Sequence, residues 1–251
     1  MTTRASLSRL GWFGVLAVAT ALLTGSQASA GNWTGYMNVF FNDGGSKGGF
    51  VFGQGWGVAD LKTTVTTSNP GTIIGDQLVL QPNFNAYTDN PGDPFWRDNA
   101  GTGPGGNKWM EANTYVETNP LAVTSYTLQG TVDANDLDTS LYTAEAFIKV
   151  LDPNAGFATV LNDRITLPSA GPFVVTSDLS LYQGMILQTG FTMNGLNANI
   201  VNEVAYGSVS VSVVPEPSTI GLAAIGVMGS LGYLRIRRRR KAGTLDATIA
   251  A

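Results

Sequence analysis

Trp33-Thr34-Gly35-Tyr36-Met37-Asn38-Val39-Phe40-Phe41 runs directly into Asn42-Asp43-Gly44-Gly45. The first nine residues are rich in aromatic and β-branched side chains, which suit a pleated strand, and the next four tolerate the left-handed backbone of a tight turn. The stretch therefore predicts a strand closed by a turn, and the same pattern repeats along the chain. Phe50-Val51-Phe52 and Val58 to Thr67 predict the next strands, the second stopped by Ser68-Asn69-Pro70-Gly71. Ile73 to Leu80 follows, then a long polar segment from Gln81 to Asn107. Met110 to Glu117, Ala122 to Val132 and Thr143 to Leu151 come next, and Asp152-Pro153-Asn154 ends the last of these. Arg164 to Leu167, Phe173 to Ser177, Leu181 to Met193 and Val204 to Val213 complete the set. There is no helical stripe and no internal repeat of solenoid or propeller length. About ten short strands spaced by Gly, Pro, Asn and Asp predict an all-β fold, a β-sandwich and among sandwiches a jelly roll.

The sandwich is expected over 31–213, between two segments of different character. Residues 1–30 read as a secretory signal peptide: Arg4 and Arg9 precede an apolar run from Gly11 to Leu23, and Ala28-Ser29-Ala30 offers the small residues of a signal-peptidase site at Ala28 and Ala30. The apolar run is shorter than a membrane span requires. At the other end, Val214-Pro215-Glu216-Pro217-Ser218 leads into an uncharged run from Thr219 to Leu234, then Arg235-Ile236-Arg237-Arg238-Arg239-Arg240-Lys241. Such a run can span a thin bilayer, and the cations beside it stay cytoplasmic, leaving Pro-Glu-Pro outside. The two prolines hold that segment extended, a shape open to a processing enzyme.

Residues 214–241 resemble the PEP-CTERM sorting signal of Gram-negative bacteria, with the Pro215-Glu216-Pro217 motif, the membrane helix and the Arg-rich cluster in order. The resemblance implies recognition by an exosortase, transient anchoring in the inner membrane, removal of the helix and release to the cell surface or exopolysaccharide matrix. The short tail 242–251 extends further past the cluster than is usual in that family. Tyr36 to Phe40, Trp56 to Leu61 and Asn107 to Asn113 resemble stretches of an uncharacterised β-rich domain of such surface proteins, a likeness that implies no activity.

Composition narrows the chemistry. The chain has 251 residues and neither cysteine nor histidine, which excludes disulfide staples, Ser-His-Asp and Cys-His machinery and the usual zinc sites. Most of its 14 cations lie in the two flanking segments. The central region keeps Lys47, Lys62, Arg97, Lys108, Lys149 and Arg164 against nearly all the acids, so it is strongly acidic. That charge repels nucleic acid, which is not an expected partner, and suits cations and neutral or basic polymers.

Two constellations are candidate sites. Tyr87 to Asn99 combines Asp89, Asp93, Asp98 and Asn99 with Trp96, an aromatic plate on which a sugar could stack while the oxygens take its hydroxyls; the alternative is a structural loop that folds Trp96 back over the sandwich edge. Asp133, Asp136 and Asp138 are candidate calcium ligands, although the spacing departs from an EF-hand and would need distant partners; otherwise they form a solvated turn and no cofactor is expected. Phe40, Phe50, Phe52 and Tyr115 are expected in the core. No phosphate loop, nucleophile elbow or metalloprotease helix is present. The expectation is a non-catalytic structural or adhesive protein of the surface or exopolysaccharide matrix, with a carbohydrate-binding module as the alternative and a carboxylate glycosidase behind both.

Overall fold

A computed structural model describes residues 33–68, 72–97 and 105–214. Ala28 and Ala30, Asp98 and Asn99, Pro215, Glu216 and Pro217, and the segments 1–30, 215–241 and 242–251 lie outside the described residues. Among the described residues there are eleven strands: β1 (Thr34–Asp43), β2 (Ser46–Trp56), β3 (Thr63–Thr66), β4 (Gln77–Leu80), β5 (Gly105–Thr118), β6 (Ser125–Asn135), β7 (Tyr142–Asp152), β8 (Ala158–Thr166), β9 (Gly171–Asp178), β10 (Ile186–Ala198) and β11 (Val209–Val213). Two short helices, α1 (Asn85–Thr88) and α2 (Glu203–Tyr206), lie in connections. No helix among the described residues is long and apolar enough to cross a membrane.

The strands form two antiparallel sheets, a six-stranded one in the order β2-β1-β5-β10-β7-β8 and a five-stranded one in the order β3-β4-β11-β6-β9. The hairpins β1–β2, β3–β4 and β7–β8 stay within a sheet, and every other connection crosses between them. A β-sandwich results, as the strand pattern predicts. The first turn has its expected chemistry. Asp43 pairs with Ser46 across Gly44 and Gly45, whose φ values of 59° and 90° require left-handed backbone, and the Asn42 side chain accepts from Gly45 N at 2.7 Å.

Alternation sorts side chains between faces. In β1, Met37 and Val39 are buried in the core while Tyr36, Asn38 and Phe40 turn the other way. The core between the sheets gathers Met37, Val39, Leu78, Met110, Leu128, Ile148, Phe191 and Val211, among others. Phe191 stacks on Trp33 at 6.1 Å and meets Phe173 edge-on at 5.7 Å. The fully buried Asp76 clasps the two ends of the sandwich. Its carboxylate accepts from Trp33 Nε1 at 2.8 Å and Ser68 N at 3.0 Å, and its carbonyl accepts from Val213 N at 2.9 Å.

Several boundaries differ from the sequence pattern for identifiable reasons. Val58 to Lys62 is a tight turn, with Leu61 N donating to Gly57 O at 3.1 Å and Lys62 at φ 64°, so only Thr63–Thr66 is strand. Val204 sits in α2, 96% exposed, where its apolar character suggested strand. Phe50 is 60% exposed, and Phe40 and Tyr115 belong to the outer face of the six-stranded sheet, outside the core cluster. Of the aromatics expected in the core, Phe52 packs against the cluster between the sheets and Tyr115 is buried, at 6% exposure, but on the outer face.

Candidate functional site

The long segment after β4 is pinned by its amides. Asn83 is buried; its Nδ2 donates to Asp60 O at 2.8 Å, its carbonyl accepts from Ala198 N at 2.9 Å, and its Oδ1 accepts from Ala86 N at 2.9 Å, which starts α1. Phe84 beside it is fully buried. Farther on, Asp93 Oδ1 accepts from Phe95 N at 2.9 Å, a local turn that presents Phe95 and Trp96 to β2.

Trp96 is half-buried. Its ring makes edge contacts with Phe95 at 4.8 Å and with Phe52 and Trp56 at 6.2 Å, and its carbonyl accepts from Asn197 Nδ2 at 2.8 Å. Arg97 closes the segment by donating from Nε to Tyr87 O at 2.7 Å. Trp96 thus anchors the loop over β2 and packs against the core. Asp93 joins it through the backbone turn, with its carboxylate engaged there.

Beside this anchor, between the end of β2 and the α1 segment, lies a cleft of about 370 Å³ lined by Gln54, Trp56, Asp60, Asn85, Asp89 and Asn90. Its polar groups are mostly acceptors. Asn85 Nδ2 is committed to Ala59 O at 3.1 Å and Asp60 O at 3.3 Å, and Asn90 Nδ2 to Ala86 O at 2.9 Å. Asp60 Oδ2 accepts from Gly57 N at 3.1 Å and so closes the turn after β2. Trp56 Nε1 is buried without a hydrogen-bond partner among the described residues. Asp89 alone of these residues was singled out by the sequence; the rest come from two segments whose meeting depends on how the loop folds. A Trp-Gly pair followed three residues on by Asp was the one local signal, since that spacing lets the carboxylate cap the glycine N–H.

The calcium cluster expected of Asp133, Asp136 and Asp138 is not assembled. Asp133 Oδ2 accepts from Ser212 Oγ at 2.6 Å, Asp136 Oδ1 from Ser208 N at 2.8 Å, and Asp138 Oδ1 from Ser140 Oγ at 2.6 Å. Each carboxylate is committed to its own serine, because Asp133 lies within β6 while the other two follow its end. No group of three carboxylates among the described residues could hold a metal ion.

A solved structure from work on the promiscuous specificity of carbohydrate-binding modules of the β-sandwich superfamily aligns with 10% identity and a TM-score of 0.30, covering 72% of this chain and 83% of that one. No curated protein matches the chain. Residues 213–240, beginning at the final residue of β11, match the PEP-CTERM protein-sorting motif, which implies an exported protein processed by an exosortase and sorted to the cell surface.

Proposed function

We propose that the chain is a non-catalytic structural or adhesive protein of the cell surface or exopolysaccharide matrix. Signal peptidase and an exosortase process it, and it is anchored only briefly in the inner membrane. The observation that carries this reading is the sorting motif joined directly to the last strand of a self-contained sandwich. The sheet-crossing connections fit a jelly roll, a rigid scaffold for displaying loops. Its carboxylates support a structural role: Glu111 and Glu145 pair with Lys47 and Arg164, Asp76 holds Trp33, and Asp133, Asp136 and Asp138 hold serines. The cleft beside α1 favours the second reading, a carbohydrate-binding module, because its volume and its mixture of indole, amide and carboxylate suit a sugar.

Mass spectrometry of the protein from cell-surface material tests the first reading. The expected mature form starts at Gly31 and yields no peptide from Thr219 to Leu234. Cells lacking exosortase should retain the intact chain in the inner membrane. Recovery of the apolar C-terminal run from surface material of normal cells would overturn the proposal.

A further inference from the structure

We infer that the cleft between β2 and α1 binds an amino sugar carrying a free ammonium group, as a residue of a basic polysaccharide. The inference rests on the surface-and-matrix reading and assigns that protein a ligand class and a site. Three observations carry it.

The cleft is large enough for one or two sugar rings, at about 370 Å³. Its polar lining consists mainly of acceptors. The amide nitrogens of Asn85 and Asn90 are engaged by the protein's own carbonyls, so Gln54 and the second Asn90 N–H are the side-chain amide donors set against the oxygens of Asp60, Asp89, Asn85 and Asn90. Among the described residues the Asp89 carboxylate has no side-chain partner, and Asp60 commits one oxygen to Gly57 N. A lining of this kind selects a ligand that donates. A neutral sugar hydroxyl both donates and accepts, whereas an ammonium only donates, and its hydrogen bonds to carboxylates are charge-assisted and stronger than neutral ones.

The indole supplies the apolar part. Trp56 borders the cleft and is held by its edge contact with Trp96 at 6.2 Å, so the ring is fixed in place before any ligand arrives. An aromatic ring beside carboxylates suits a sugar whose carbon face is apolar and whose substituent is cationic, because the ring face also attracts a cation.

Charge gives the third argument. The central region holds six cations against nearly all of the protein's 18 acids, so its field draws a basic polymer in and repels an acidic one. Of the cations, Lys47 and Arg164 are tied to Glu111 on the six-stranded sheet, away from the cleft.

The test is calorimetry on the full chain purified in detergent, with glucosamine oligomers, their fully N-acetylated counterparts and glucose oligomers of equal length. Calcium chloride alone is titrated in a separate arm. Acetylation removes the charge and leaves the ring unchanged. Glucosamine oligomers are expected to bind at least about tenfold more tightly than either neutral series, and added salt should weaken them. Asp89→Asn should reduce that preference about tenfold while leaving the melting temperature unchanged, because the carboxylate supports no other side chain among the described residues. Asp60→Asn is the second variant, and its expected fall in affinity comes with some loss of stability at the turn. Equal binding of all three series would overturn the ammonium assignment and leave a general sugar site. Binding of none, or calcium binding that Asp89→Asn abolishes, would overturn the inference altogether. The surface-and-matrix reading stands or falls separately, on the mass spectrometry of mature protein.

Discussion

At the two central strands of the six-stranded sheet, β5 and β10, the two faces are almost equally buried but differ in chemistry. On the inner face, β5 and β10 contribute Met110, Ala112, Val116, Phe191 and Met193 to the core. On the outer face the same strands place Glu111, Asn113, Tyr115, Gln188 and Thr192, each less than 9% exposed. There Glu111 receives Lys47 at 2.9 Å from one edge strand and Arg164 at 3.0 Å from the other, and Arg164 also meets Glu145 at 3.2 Å. Thr192 Oγ1 donates to Asn113 Oδ1 at 2.8 Å and Gln188 Nε2 to Glu117 Oε2 at 2.9 Å. The inner face draws its stability from removing apolar surface from water, a contribution that is additive and indifferent to pH. The outer face is stabilised only while every polar member keeps its partner, so its worth depends on conditions.

The inner face should therefore give the largest loss on truncation. Phe191 is fully buried between Trp33 and Phe173, and Phe191→Ala leaves a cavity that neither neighbouring ring can fill. A loss of about 3–5 kcal/mol is expected in urea titration, unchanged across pH. A loss below about 1 kcal/mol would show that the two sheets close over the gap, and the contrast between faces would shrink accordingly.

The outer face should fail more moderately and with a pH signature. Burial raises the Glu111 pKa, but hydrogen bonds and charge from Lys47 and Arg164 outweigh it, so the carboxyl ends below its ordinary range. A depressed folded value means the stabilisation is full above the unfolded value and is lost as pH falls through the folded one. Glu111→Gln, which strands two cations, is expected to cost about 1–3 kcal/mol at neutral pH and to approach wild type in acid. The check is melting temperature against pH for both proteins; a gap that persists in acid would assign the loss to packing.

How the sequence met this structure follows from the same contrast. The pattern of short β-like runs punctuated by turn residues located β1, β5, β7 and β9, since such a run suits a strand whichever face is inside. It does not say which set faces the core. Phe40, Phe50 and Tyr115 read as core residues because aromatic rings usually are, yet the pairing of β1 with β2 and β5 turns them outward. Edge strand β8 was half-legible, because its first residues, Ala158 to Val160, are exposed and its strand form there comes from pairing with β7. The cleft was legible only at Asp89. Its other walls come from the end of β2 and its following turn, and from α1, and they converge through the amide of Asn83, whose tertiary role no local pattern encodes. Asp133, Asp136 and Asp138 failed in the opposite way, being close in sequence but separately engaged by Ser212, Ser208 and Ser140.

The smallest expected effect has the opposite sign. Lys149 lies on the outer face, opposite Gln188 of β10 and Asn162 of β8, with its ammonium 5.3 Å from the Phe147 ring centre and 5.9 Å from that of Tyr115. Burial pulls its pKa below the ordinary lysine range and Arg164 pulls it further, against weaker opposing pulls from Glu111 and Glu117. A folded value below the unfolded one means that holding the charged form costs stability at neutral pH, and that this cost fades as pH rises through the folded value towards the unfolded one. Methionine keeps the length and apolar stem of lysine without the charge. Lys149→Met is therefore expected to raise the melting temperature at neutral pH by about 2–4 °C, with the gain shrinking in alkaline buffer. Differential scanning calorimetry at several pH values decides it. A fall instead of a rise would mean that attraction between the ammonium and the Phe147 and Tyr115 rings outweighs desolvation, and that the outer face uses this charge as part of its packing.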